Sequence, residues 1–232
     1  MGNRKNKHRR LIRGVLAATA LVGFVAIGGL VLRIVGFAPK HQVEVLEESI
    51  QQLRASLNAD SIRQYNIQKV MAIIQMYNPA MPSSQRYEIA NEIYNMSLKY
   101  TNLDIDLLCA AITHETAGTW NPEIVSPAGA MGLMQIMPAT GMFLASYEGI
   151  TWSSPEEVLF NPIYNIRLGA RYLASQIEYY DVDGGLAAYN GGEKWAALWV
   201  KSGRDDKVLP RETREYLPAV LSLYGEFANM KF

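Results

Sequence analysis

Ile105, Leu108, Ile112 and Glu115 lie three or four residues apart, in and just before the stretch LLCAAITHETAGTW. On a helix they share one face, so an apolar stripe ends on a carboxylate. A buried carboxylate is costly unless it is paired or holds a proton. Backed by Leu108 and Ile112 at the edge of a cleft, Glu115 is expected to have a raised pKa. That is the state a general acid needs near neutral pH. The alternative is a terminal Glu that simply faces water. Gly118 is expected to end the helix. The segment after it carries Pro127, Gly129, Gly132 and Pro138, which predict a loop whose backbone can approach a ligand closely. Ser126 and Gln135 are its polar side chains, with Met131, Met134 and Met137 around them.

Charge is unevenly placed along the 232 residues. Residues 1–43 carry eight Lys or Arg and no acid, while the remainder carries fourteen basic and twenty-two acidic residues. An acidic body argues against sequence-independent nucleic-acid binding, which needs a basic face. The single cysteine, Cys109, excludes an intrachain disulfide and a cysteine-based zinc site. It falls within the Glu115 helix and reads as a small buried hydrophobe. His8, His41 and His114 offer no metal-ligand spacing. No cofactor and no metal are expected.

Residues 1–13 form a basic head, and Gly14 to Leu32 then runs nineteen residues without a charge. That length can cross a bilayer as a helix. Residues 14–35 are read as an uncleaved transmembrane anchor, with the head in the cytoplasm and the body outside. A cleaved signal would place its small residues after the apolar run, whereas Ala17 to Ala20 lie inside it. Residues 36–80 read as a helical stalk or linker. There Val43, Leu46, Ile50, Leu53 and Leu57 alternate three and four apart. Two heptads are too few to hold a coiled coil, so a monomer is expected, with a weak stalk dimer or an envelope-complex partner as alternatives.

Residues 81–232 read as short helices with no run of strand alternation, and the body is expected to be all-α with at most a minor β region around 124–137. Tyr87, Ala90, Ile93, Tyr94 and Ser97 mark one helical face. Thr101 with Asp104 is expected to cap the Glu115 helix, and Ser154, Pro155 and Glu157 to start another. A further helix begins at Pro162 and stripes through Ile166, Ala170, Leu173 and Ile177; the last is carried by ETREYLPAVLSLYGEF.

Four blocks in order carry a resemblance. HETAGTWNPEIVSPAGAMGLMQIMPAT, NPIYNIRLGARYL, LAAYNGG and ETREYLPAVLSLY resemble the catalytic domain of the soluble lytic transglycosylases, over roughly residues 86–228. These are lysozyme-like enzymes of the bacterial envelope. The first block is long and gapless; each of the others alone is a weak signal. The resemblance implies that Glu115 is the sole catalytic carboxylate. Ser126, Gln135, Tyr189 and Asn190 match positions that hold sugars or orient the acid. Gly132, Leu133 and Met134 match the cleft wall, and Tyr216 matches a structural tyrosine. Thr116 stands where the family usually has Ser, Ile124 where some members have a polar residue, and Gly191-Gly192 where Ala-Gly is usual.

The chemistry so implied needs one carboxylate where most glycosidases use two. Glu115 would protonate the oxygen between N-acetylmuramic acid and N-acetylglucosamine. The muramic acetamido group would stabilise C1. The ionised Glu115 would then take the proton of the same sugar's C6 hydroxyl as that oxygen closes on C1. Tyr189 would hydrogen-bond the acid. The implied protein is a single-pass inner-membrane enzyme whose catalytic domain faces peptidoglycan strands in the periplasm. The competing readings are a lysozyme-type hydrolase, which would want a second carboxylate such as Glu123, and an inactive wall-binding or scaffold protein.

Overall fold

Pro39 occupies the first position of a long helix, α1 (Pro39–Tyr77), in the computed structural model, which describes residues 39–231. The expected basic head and anchor lie outside those residues. Among the described residues no helix is long and apolar enough to cross a membrane. The chain divides into two units, residues 1–60 and 61–232. The described part of the first is wholly helical, and Leu46, Ile50, Leu53 and Leu57 of its heptad stripe are exposed.

In the second unit the rest of α1 buries Ile67, Val70, Ile73 and Ile74. Helix α2 (Ser83–Lys99) buries Ile89, Ala90, Ile93 and Met96. The expected face is turned: Tyr87 is exposed, and Glu92 is buried. Glu92 is tolerated there because Arg167 reaches it at 2.6 Å, a paired charge inside an otherwise apolar face.

Helix α3 (Ile105–Glu115) is apolar nearly all round and is enclosed, packing against α2 and the last helix. Its cap differs from the expected pair. Asp104 itself is the extended N-cap residue and accepts from the Leu107 N–H at 2.8 Å, so the helix starts one turn later than a Thr101 cap would place it. The C-terminus closes with the Ala117 N–H on the His114 carbonyl at 3.0 Å and the Gly118 N–H on the Thr113 carbonyl at 2.8 Å. This pairing puts the left-handed turn at Ala117 (φ 48°), one residue before the expected glycine, with Gly118 also at positive φ. A Cβ in that region is strained. Ala117→Gly is therefore expected to raise the urea midpoint, by about 0.5–1 kcal/mol of stability after the glycine's unfolded-state entropy is counted. A lowered midpoint would contradict the turn.

Helix α4 (Pro138–Ala145) runs into a 3₁₀ turn at Ser146–Glu148. Helix α5 (Pro155–Leu159) starts as expected, with Ser154 accepting from the Glu157 N–H. Helix α6 (Pro162–Gly191) buries the expected Ile166, Ala170, Leu173 and Ile177. It continues past them through a kink at Asp181 (φ 68°), whose carboxylate accepts from the Gly184 N–H and so restarts the helix. Arg204 pairs with Asp181 and Asp183 across this corner. Helices α7 (Glu193–Lys201) and α8 (Arg211–Ala228) complete the unit. Among the described residues there is no strand, only isolated bridges pairing Val125 with Met131 and Met131 with Ile136. The body is all-α, with the minor β feature where it was expected.

Candidate active site

Glu115 is the last residue of α3, and its backbone is fixed by the turn just described. The side chain is half-buried, and its pKa is pushed up to about 7. Desolvation is the main cause; the charge of Glu212 adds to it, and the Tyr216 hydroxyl opposes it. Tyr216 comes from α8, which packs along α3. Its ring meets His114 edge-on, with centroids 4.8 Å apart. Its hydroxyl is buried and makes no hydrogen bond of regular geometry, yet lies close enough to bear on the carboxyl. A residue expected to be merely structural is thus the polar group set against the acid. A cavity of about 440 Å³ opens beside it, lined by His114, Arg211, Glu212, Glu215 and Tyr216.

Tyr189 sits on the second limb of α6, near enough for the Glu115 charge to raise its phenol. Its hydroxyl donates to the Met134 carbonyl at 2.7 Å instead of to Glu115. The expected bond to the acid is replaced by one to the loop, because the loop carbonyl is an unpaired acceptor that must be satisfied once buried. Gly132, Leu133 and Met134 are buried as a wall. Gln135 folds back at φ 47°, its amide donating to the carbonyls of Gly132 (2.8 Å) and Ile124 (3.3 Å). The Ser126 hydroxyl accepts from the Ala130 N–H at 3.0 Å, tying the first turn of the loop. The Asn190 side-chain oxygen is buried without a partner. No hydrogen bond joins Ser126, Gln135 or Asn190 to Glu115; two of them shape the loop, and Asn190 presents an unsatisfied acceptor.

Two residues that sequence reading passed over hold this arrangement. Asn165, fully buried on α6, donates to the carbonyls of Met131 (2.8 Å) and Leu159 (2.9 Å) and accepts from the Met134 N–H (2.7 Å). It pins the loop to the helix. Trp120 is also fully buried; its indole N–H donates to Thr113 Oγ1 at 3.0 Å and its backbone N–H to Thr116 Oγ1 at 3.1 Å. Thr116 in turn donates to the Ile112 carbonyl at 2.8 Å. Any β-hydroxyl could serve there, which accounts for Thr where Ser is usual. The only signal for Asn165 was an amide inside an apolar helical stripe.

Glu123 is exposed on the loop. The carboxylate whose charge reaches Glu115 is Glu212 on α8, 97 positions along the chain from Glu115. Burial pushes the Cys109 thiol well up, so it is no nucleophile. Among the described residues no group of three or more His, Cys, Asp or Glu could hold a metal ion.

Residues 92–208 match the family model of the transglycosylase SLT domain. The soluble lytic murein transglycosylase of Escherichia coli K12 is 33% identical over 150 residues, 60% of this chain and 23% of that protein. The endo-type membrane-bound lytic murein transglycosylase A of Klebsiella pneumoniae is 40% identical over 74 residues, 31% of this chain and 35% of that protein. The chain therefore spans about a quarter to a third of the length of these relatives. Among solved structures, the 70-kDa soluble lytic transglycosylase of Escherichia coli superposes with a TM-score of 0.51 at 26% identity, over 71% of this chain and 29% of that one.

Proposed function

Because the chain belongs to the transglycosylase SLT domain family, we propose that it cleaves the bond between N-acetylmuramic acid and N-acetylglucosamine in peptidoglycan, without water, leaving 1,6-anhydromuramic ends. The observation that carries this reading is the desolvated carboxyl of Glu115, which has no cation paired with it among the described residues and a pKa of about 7, so that acid and base forms are both populated at neutral pH. One residue can then give a proton to the leaving oxygen and take one from the C6 hydroxyl. Intramolecular attack has a large proximity advantage once the sugar is held. Gly132–Met134 form the wall against which it is held. Asn190 is the unsatisfied acceptor that awaits a sugar donor. Ser126 and Gln135 keep the loop in shape, and Tyr189 ties that loop to α6.

The test is digestion of purified sacculi by the full-length chain with EDTA present, followed by mass spectrometry of the products. Every cleaved strand is expected to end in an anhydro sugar, one water lighter than its reducing counterpart. Dominant reducing ends would mean a hydrolase, with Glu212 in place of Glu123 as the carboxylate to suspect. Absence of any turnover would leave a wall-binding scaffold.

Residues 1–13 as a cytoplasmic head, 14–35 as an anchor and a stalk from 36 that ends near residue 60, where α1 enters the core of 61–232, instead of at the expected residue 80, would place the enzyme on the inner membrane, facing the wall. The uncharged run Gly14–Leu32 and the name of the membrane-bound Klebsiella relative support this layout. Protease added outside spheroplasts is expected to digest the body and spare the head. A full-length chain recovered in the soluble fraction would contradict it.

A further inference from the structure

A second concave site lies away from Glu115, between the first limb of α6 and the start of α7. It encloses about 400 Å³ and is lined by Ser175, Gln176, Tyr179, Tyr180 and Glu193. Its polar groups are built in place. Gln176 is 5% exposed, and its amide donates to Glu193 Oε1 at 3.2 Å. The Tyr180 hydroxyl reaches the Glu193 carbonyl at 3.4 Å, and the Tyr180 ring meets Tyr179 edge-on at 4.5 Å between centroids. Tyr179 itself is 79% exposed, an aromatic face offered to solvent. Helical spacing sets Tyr172, Gln176 and Tyr180 in one row, each about 6 Å beyond the last along the axis.

That row leads back to the active site. The Tyr172 ring lies 5.3 Å from the Tyr189 ring. Tyr189 feels the Glu115 charge on one side, and Tyr172 feels the Glu193 charge on the other. The Tyr172–Tyr189 ring contact therefore joins the row, through Tyr172 one turn before Gln176, to the residue beside the catalytic carboxyl. Aromatic faces bounded by an amide and a carboxylate suit a sugar, which offers apolar C–H faces and hydroxyl or acetamido donors. Among the described residues that line it there is no Lys or Arg, so the lining itself offers an anionic ligand no charge partner.

We propose that the pocket formed by Gln176, Tyr179, Tyr180 and Glu193 is a distal saccharide subsite, joined to the active site through Tyr172, that grips the glycan strand several sugars from the scissile bond. It rests on the glycan-cleaving reading above and makes the enzyme favour long strands. Tyr179→Ala with Glu193→Gln is the test variant, since both side chains are exposed and their loss leaves the core intact. With the full-length chain and peptide-free glycans, KM for long strands is expected to rise about tenfold. KM and kcat for a tetrasaccharide that cannot span the row are expected to stay as in the parent. An equal change on both substrates, or no change on either, overturns the subsite. So does a KM rise confined to peptide-bearing strands, which would make the pocket a peptide site. If the parent cleaves neither glycan, the glycan-cleaving reading falls, and the pocket is decided by binding alone. In that arm an oligomer of N-acetylglucosamine is titrated into the Glu115→Gln protein. Amide shifts at 175–180 and 193 support the subsite, and their absence overturns it.

Discussion

Glu115→Gln will lower glycan cleavage by at least about 100-fold, the lower end of what a positioned acid contributes. The amide keeps the shape of the side chain but can neither give nor take the proton. The same substitution will make the fold more stable at neutral pH, and the sign follows from the direction of the shift. The carboxyl is raised from 4.5 to about 7 in the folded protein, chiefly by desolvation. The folded state therefore holds a proton that the unfolded state has already lost between those values. The stability associated with the protonated form is full below about pH 4.5 and is lost as pH rises through 7. The penalty at higher pH is on the order of 3 kcal/mol. Parent and variant should thus melt alike near pH 4.5 and diverge by pH 8, with the variant higher. Activity of the parent should fall on the alkaline side of pH 7 as the acid form disappears. A folded variant that retains activity would remove Glu115 from the mechanism. Parallel melting curves would remove the desolvated carboxyl.

The parts of this molecule legible in its sequence are those set by local rules. Ser154-Pro155 and Pro162 announce helix starts because capping and fixed φ act within one turn. The stripe Ile105, Leu108, Ile112 gives the direction in which Glu115 points because helical periodicity is local. The α2 face was read about one position off because Glu92 looks like a solvated charge until Arg167, 75 residues away, is placed against it. Asp104 took the cap from Thr101 for a related reason: the Tyr224 hydroxyl donates to its other carboxylate oxygen at 2.6 Å, 120 residues along the chain. The family resemblance marked Tyr189 and Tyr216 but gave the bond to the acid to Tyr189 and only a structural place to Tyr216, whereas the Tyr216 hydroxyl is the one set against Glu115. Which phenol turns to the acid depends on whether a loop carbonyl is free to accept, and Met134 supplies one.

The loop itself gives the second large effect. Gly132→Ala is expected to destabilise the fold by more than about 4 kcal/mol, in the range reserved for a specific structural break. Gly132 sits at φ 79°, and a Cβ there would come within 2.2 Å of Asn165 Nδ2 and 2.3 Å of the Leu159 carbonyl oxygen. Neither neighbour can give way. Leu159 O is backbone at the end of α5, and Asn165 is held by three hydrogen bonds in a fully buried position. The loop must therefore lift from α6, leaving the Met131 carbonyl and the Met134 N–H without partners. Each such loss costs about 1–3 kcal/mol, and the strain of the left-handed backbone adds to them. Because Tyr189 is anchored on the Met134 carbonyl, the site is disturbed along with the fold. Cleavage measured in the cold, where the chain is still folded, should fall more than stability alone explains. Asn165→Ala removes the same two loop bonds from the other side, so the double variant should cost clearly less than the sum of the singles. Denaturant unfolding of the four proteins decides it: strict additivity, or a Gly132→Ala protein within about 1 kcal/mol of the parent, would mean that Asn165 does not pin the loop.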